Sequence, residues 1–182
     1  TNPASDLELK LPATIGTANQ VLRNSSTAGT LEFATLAGGK ILQVVSAETT
    51  TETTIQTTTW TDTTLTGTIT PTSASSKIWV VTNQRWSQDR IGVNLYGGVR
   101  LVRDSTIIIP QSDYSQGMQD NASSSWLGWR VRITFMKMDS PNTTSAVTYK
   151  TQAQCNGTTN SATVTMQEDD EIGSIFLLEV AA

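Results

Sequence analysis

The chain has 182 residues, a formal net charge of -4 at pH 7, 12 basic and 16 acidic side chains, and no histidine. Its length suits one globular domain with a short appendage, and its Lys and Arg residues are too scattered to predict a nucleic-acid partner. Without histidine, Ser-His and Cys-His nucleophile pairs and the usual transition-metal sites are excluded. The single cysteine, Cys155, excludes an internal disulfide, and we expect it to be buried.

The polar residues are mostly uncharged. Charged residues make up 15% of the chain and apolar residues 37%, while Thr, Ser, Asn and Gln supply much of the remainder. No apolar run approaches the roughly 18 residues that a membrane-spanning helix needs. We therefore predict a hydrogen-bonding surface and no membrane insertion.

Residues 1–37 are predicted to form an extended N-terminal arm. Leu7 to Pro12 alternates apolar and polar residues and then meets proline, which is typical of a short edge strand. Apolar residues are too sparse in the arm to form a core, so we expect it to lie on the following domain or on neighbouring copies. The residues predicted to serve oligomerisation or anchoring are Leu9, Leu11, Val21, Leu22, Leu31 and Phe33.

The arm resembles the repeat found in the stems of bacteriophage tail fibres. The matching residues are Leu9-Lys10-Leu11-Pro12, Gly16, Val21-Leu22, the polar turn Asn24 to Gly29, and Leu31-Glu32-Phe33. The sequence has Phe33 where that repeat commonly has Trp, and its turn lacks the usual Asp-Gly. Because such stems are threefold, the resemblance implies a homotrimer.

Residues 38–182 are predicted to form the globular domain, with Gly38-Gly39 as the hinge. Lys40 to Ser46 is predicted to be a buried strand. The Thr-rich run Thr49 to Thr64 is predicted to be extended, because Thr is β-branched and no Pro or Gly interrupts the run.

A Pro/Ser-rich turn from Pro71 to Ser76 separates two apolar segments. We interpret Leu65 to Ile69 and Lys77 to Val81 as a strand pair around this turn, since proline lacks a backbone donor. The second strand is expected to enter the core at Ile78 and to leave it near Asn83.

The rest of the domain shows further strand and turn signals. Gly97-Gly98 predicts a bend within Gly92 to Arg103, and Asp104-Ser105 a turn between short strands. Trp126 to Met138 predicts a strand that points Trp129 and Phe135 inward. We also predict a hairpin of Ala146 to Cys155 with Ala162 to Gln167 around Asn156-Gly157, and a buried strand at Ser174 to Val180.

About ten short strands without a helical period predict an all-β fold, an antiparallel β-sandwich or jelly roll. This part of the chain is similar to an uncharacterised domain that often ends fibre-like virion proteins of marine and cyanobacterial phages. The similarity implies a virion protein. It rests on Gly39 to Val45, Ile69 to Ile78, Arg100 to Thr106, Asp139-Ser140-Pro141, Tyr149-Lys150 and Leu177 to Ala182.

The candidate ligand site is a sugar-stacking surface. An indole packs on a pyranose face while neighbouring polar groups bond the hydroxyls. Trp79 and Trp129 lie within apolar alternation and are expected in the core, whereas Trp86 and Trp126 lie at predicted strand ends. The long polar loop Gln111 to Ser125 extends the hypothesis. The candidate residues are Trp86, Asp113, Tyr114, Gln116, Asp120 and Trp126.

The sequence predicts neither catalysis nor a cofactor. Glu168 to Glu171 lacks the alternate-ligand spacing of a calcium loop, so we interpret it as a solvated turn. No local pattern nominates the two carboxylates of a glycosidase.

We expect a non-enzymatic, trimeric fibre or knob module of the virion that attaches to host-surface glycans. Its expected partners are copies of itself and other virion proteins of the tail, portal or capsid shell. Two alternatives remain: a capsid decoration protein that cements the head shell, and a carbohydrate-binding module.

Overall fold

The computed structural model describes residues 9–18, 20–35, 40–91, 94–111, 116–118, 126–156 and 162–182. The chain divides into two compact units, Thr1–Gly39 and Lys40–Ala182.

The first unit is built on an antiparallel hairpin. Strands β1 (Gln20–Asn24) and β2 (Leu31–Thr35) pair along their full length. Gly29 has a φ of 77° in the connecting turn, a conformation that suits glycine. The segment before the hairpin forms a bridge to it at Lys10, whose N–H donates to the Gly29 carbonyl and whose carbonyl accepts from Leu31 N–H, both at 2.9 Å. The described part of the predicted edge strand is therefore a single bridge.

The second unit is an antiparallel β-sandwich, as predicted. Its strands are β3 (Ile41–Thr49), β4 (Thr53–Ile55), β5 (Thr61–Ile69), β6 (Lys77–Ile91), β7 (Leu95–Arg103), β8 (Thr106–Ile109), β9 (Gln116–Met118), β10 (Trp126–Asp139), β11 (Val147–Cys155), β12 (Ala162–Met166) and β13 (Gly173–Val180). The first sheet has the order β3-β13-β6-β12-β4, with β10 paired to β6. The second has the order β5-β11-β7-β8, with β9 paired to β7.

The core lies between the two sheets. It takes alternate residues from each strand because successive side chains of a strand point to opposite faces. Fully buried members include Leu65 and Tyr149 from the second sheet and Ile78, Trp86 and Leu177 from the first.

The turn at Pro71 joins two sheets rather than two paired strands. β5 pairs with β11, whereas β6 pairs with β10, β12 and β13, so the predicted strand pair is wrong. The buried carboxylate of Glu179 fixes this turn: it accepts bonds from the N–H and hydroxyl of Thr72, both at 2.8 Å, and from Gln43 Nε2 at 2.6 Å.

Strand β6 is longer than predicted. It does not leave the core near Asn83 but continues to Ile91, and its inner face carries the buried polar residues Thr82, Gln84 and Gln88. The second half of β6 lacks an apolar alternation because its inward side chains make hydrogen bonds inside the sandwich instead of apolar contacts. Thr151 donates to Gln84 Oε1 at 3.0 Å, and the hydroxyls of Thr63 and Thr151 lie 2.6 Å apart.

Two turn predictions based on glycine are also wrong. β7 runs straight through Gly97-Gly98; a Cβ on Gly97 would lie 2.8 Å from both the Gln154 carbonyl and the Trp86 ring, so this glycine serves close packing. The segments on either side of Asn156-Gly157 do not pair with each other. β11 belongs to the second sheet and β12 to the first.

The remaining strand predictions mostly hold. β10, β13 and the turn at Asp104-Ser105 lie where the sequence indicated. The Thr-rich run is extended in parts but breaks on either side of β4. β3 is not the buried strand that was predicted, since Ile41, Leu42 and Val44 are exposed on it.

Candidate interaction surfaces

The arm exposes almost all of its apolar side chains. None of the described residues 9–18 and 20–35 is buried, and Ile15 and Leu11 are 95% and 68% exposed. Leu22 and Phe33 are cross-strand partners and help to line an open groove of about 280 Å³ with residues 11–15. Of the residues predicted for oligomerisation, Leu9, Leu11, Val21, Leu22 and Phe33 are exposed and Leu31 is half-buried.

A second apolar surface lies on the outer face of the first sheet. Trp79 is 44% exposed, although the sequence predicted it in the core. Its neighbours Ile78 and Val80 fill the inner face, and the two-residue period of a strand then places Trp79 outside.

Cross-strand pairing gathers apolar side chains around Trp79 into two adjacent rows. One row contains Val44, Leu178, Trp79 and Met138 on β3, β13, β6 and β10. The next row contains Ser46, Phe176, Val81 and Met136 on the same strands. We call these two rows the sheet patch. Met136 is the most exposed of its large apolar side chains, at 66%.

The sheet patch is unusual for a surface. Contiguous exposed apolar surface of several hundred Å² commonly marks an interaction site. Two features of the sequence agree with an apolar surface here. At the start of β6 the residues that point to either face of the sheet are apolar, and Met136 and Met138 lie on the face of β10 opposite to Phe135. Neither feature predicts the patch by itself, because the patch depends on the order of the strands in the sheet.

The same sheet face becomes charged beyond the patch. Arg130 bonds Asp89 (Nη1 to Oδ1, 2.7 Å) and Glu168 (Nε to Oε2, 3.0 Å). Arg132 bonds Glu171 (Nη1 to Oε2, 2.5 Å). The predicted solvated turn is thus only half correct: Asp169 and Asp170 are exposed, whereas Glu168 and Glu171 are held by arginines.

These ion pairs shift the pKa values of the acidic and the basic partner. Burial raises the pKa of Glu168, but hydrogen bonds from Ser87 and Arg130 outweigh it and hold that pKa below its ordinary value. Burial lowers the pKa of Arg130, but its bonds to Asp89 and Glu168 outweigh this effect and raise it. Both groups are therefore charged at neutral pH, and the arginines are engaged within the fold.

The predicted sugar-stacking residues do not form one platform. Trp86 is fully buried on the inner face, so its prediction as a ligand-binding residue is wrong; β6 extends past it instead of ending there. Trp126 opens β10 and is 61% exposed, with the Arg130 guanidinium 5.3 Å from its ring centroid. Trp129, expected in the core, is partly exposed as well.

The loop candidates fall mostly outside the described residues. Asp113, Tyr114 and Asp120 lie there. Gln116 begins β9, whose backbone pairs with Leu95 to Gly97 of β7, but its side chain is also outside the described part.

Metal-binding groups and membrane-spanning helices are absent from the described ranges. No group of three or more His, Cys, Asp or Glu residues in that part of the chain could hold a metal ion. No helix there is long and apolar enough to cross a membrane. Cys155 is buried, as expected.

Comparison with models of known protein families finds no match, and neither does comparison with curated proteins.

Proposed function

We propose that this chain is a non-enzymatic structural module of a bacteriophage particle, in which three copies associate through the arm and present the sandwich for attachment to host-surface glycans. One observation carries the proposal. The arm is a compact unit of its own, yet none of its described residues is buried.

The physical argument concerns apolar area. Each Å² of apolar surface removed from water contributes about 25 cal/mol, and Leu11, Ile15, Leu22 and Phe33 are all exposed in the single chain. Association between arms covers these side chains, because each copy offers the same surface to the next. The resemblance to phage fibre stems supports three copies.

The glycan part of the proposal rests on Trp126. Its exposed indole suits stacking on a sugar ring, and such a site is weak when it stands alone. Three sites on one trimer gain an avidity of about 10² to 10⁴ on a repetitive surface.

Light scattering on the full chain tests the proposal. The wild type is expected at the mass of a trimer, and a variant with Leu11→Ser, Leu22→Ser and Phe33→Ser is expected at the mass of a monomer. A control with Ala18→Ser and Ala28→Ser changes exposed positions of the same arm outside the groove and should remain trimeric. A monomeric wild type would overturn the proposal.

The sheet patch favours a second candidate, a capsid decoration protein, because an exposed apolar sheet face fits a partner protein. Such a protein would remain monomeric in isolation and bind when capsid shells are added. A monomer that binds glycans through Trp126 without shells would instead indicate a carbohydrate-binding module.

A further inference from the structure

A small apolar surface with a polar border lies around Trp126, on the outer face of the first sheet. Trp126 and Ile91 are direct cross-strand partners, so their side chains lie side by side there, 61% and 46% exposed. The next row contains Asp89 on β6, which pairs with Gly128 on β10 and with Thr163 on β12. A carboxylate and a hydroxyl group therefore border the apolar pair.

Gly128 allows the indole and the carboxylate to approach each other. A Cβ on this glycine would lie 2.6 Å from both Trp126 Cη2 and Asp89 Oδ1, closer than real Cβ atoms come to other atoms. Both groups thus border the space above Gly128, and one sugar ring reaches both. The Arg130 guanidinium lies 5.3 Å from the ring centroid of Trp126, and most of the indole remains in solvent.

The arginine beside the indole has little capacity left for an anionic ligand. Arg130 donates to Asp89 from Nη1 at 2.7 Å and from Nη2 at 3.1 Å. It also donates to Glu168 from Nε at 3.0 Å and from Nη2 at 3.1 Å. A guanidinium has five N–H donors, and these bonds occupy all but one. A sugar carboxylate on Trp126 therefore lacks the bidentate partner that a free arginine provides.

The surroundings of the indole carry an excess of negative charge. Arg130 faces two carboxylates, those of Asp89 and Glu168. Farther along the same face, three acidic residues accompany two arginines: Asp169, Asp170 and Glu171 with Arg85 and Arg132. Arg90 is buried on the opposite face of the sheet and is not presented to a ligand here. This excess repels an anionic sugar and leaves a neutral one unaffected.

We propose that the surface around Trp126 binds an uncharged sugar ring and disfavours acidic sugars such as uronic acids. The apolar side of the ring lies on Trp126 and Ile91, and its hydroxyl groups bond Asp89 and Thr163. Each oxygen of Asp89 accepts one bond from Arg130 and keeps capacity for another. This inference rests on the proposed glycan attachment and names the class of glycan.

Matched pairs of sugars test the charge preference in the full chain. The probes are the methyl glycosides of glucose, galactose and mannose, each compared with its uronic acid, which differs only at C6. The indole N–H signal of Trp126 in an NMR titration reports binding at the site, and its loss in Trp126→Phe assigns it. At least one neutral sugar is expected to bind about tenfold more tightly than its uronic acid.

A single carboxylate exchange tests Asp89 as the residue that sets this preference. Asp89→Asn removes a negative charge and frees donors of Arg130, so the preference for the neutral sugar should fall to about threefold or less. Asp62→Asn is the matched control, because Asp62 is also paired with a cation, Lys150, but lies on the second sheet. An unchanged preference in Asp89→Asn would contradict this role of the carboxylate.

The outcomes separate this inference from the proposed function. Uronic acids that bind at Trp126 as tightly as the neutral sugars would overturn the inference and leave glycan attachment standing. A Trp126 signal that no sugar of the panel shifts would overturn both the inference and the glycan part of the proposed function.

Discussion

Arg85 on β6 and Arg132 on β10 are direct cross-strand neighbours, and both donate to the carboxylate of Glu171. Two like charges opposite each other on a sheet repel, so this arrangement needs an acidic group between them. The turn after β12 supplies it, with left-handed backbone at Gln167, Asp169 and Asp170. For residues other than glycine this conformation is uncommon, and the ion pairs offset its cost.

Removing the charge of Glu171 should therefore destabilise the sandwich. We expect Glu171→Gln to lower the free energy of unfolding by about 1 kcal/mol, because the two arginines then lose their shared counter-charge. Urea denaturation at low and high salt measures this loss, which salt should reduce. Asp170→Asn, an exposed neighbour, is the matched control and should change stability by less than about 0.5 kcal/mol.

Glu179 should make stability depend on acid pH. Burial alone would raise the pKa of this carboxyl group, but donors from Ser76, Gln43 and Thr72 outweigh it and lower the pKa to about 2 from the ordinary 4.5. Because the pKa is depressed in the folded state, this contribution is complete above pH 4.5 and is lost as the pH falls toward 2.

The matched measurement compares the wild type with Glu179→Gln by urea denaturation from pH 7 to pH 3. At pH 7 the variant should be less stable by about 1 to 3 kcal/mol, and the difference should shrink below pH 4.5. A difference that stays constant over this range would show that the charge of Glu179 is not what fixes the turn at Pro71.

Two buried strand glycines should differ in their tolerance of a methyl group. A Cβ on Gly97 meets a backbone carbonyl and the Trp86 ring at 2.8 Å, neither of which can move away easily. A Cβ on Gly67 meets only the side chains of Ile175 and Leu177, at 3.2 and 3.3 Å.

We therefore expect Gly97→Ala to cost about 1 to 3 kcal/mol of unfolding free energy and Gly67→Ala to cost less. Thermal and urea denaturation of the two variants make the comparison. Equal losses would show that β7 has room to shift away from Trp86.

Replacing the buried Trp86 should reduce stability strongly, whereas replacing the exposed Trp126 should not. Trp86→Ala is expected to lose about 3 to 5 kcal/mol of stability because it opens a large cavity in the core. Trp126→Ala should change stability by less than about 0.5 kcal/mol, since its ring is mostly in solvent. Acrylamide quenching in Trp86→Phe and Trp126→Phe provides a second check. The quenchable fraction of the fluorescence should fall in Trp126→Phe, with Trp79 and Trp129 still contributing to it, and should not fall in Trp86→Phe.

Local pattern was sufficient for much of the fold. The alternation of Ile78 and Val80 with Trp79 showed that Lys77 begins a strand, and the residues from Trp126 to Met138 marked β10 almost to its ends. The same alternation separated the inward side chains of β10, such as Phe135, from outward ones such as Met136.

Alternation along single strands predicted the candidate sites less well than it predicted the fold. The exposed apolar residues of the arm were recognised because they are too few to bury one another. Trp86 was misplaced, since polar residues after Asn83 looked like the end of a strand, whereas Gln84 and Thr151 bond each other inside the sandwich. The sheet patch was missed because its members come from four separate strands.

Alternation along the chain was enough to predict an all-β sandwich with strands at most of the observed positions, since the period of apolar residues is a local property. Long-range contacts place β5 and β6, and likewise β11 and β12, in different sheets, and they put Trp79 on one face with Val44 and Met138. Alternation tells which residues of a strand share a side. Which strands become neighbours depends on contacts between residues far apart in the chain, and no local pattern records those.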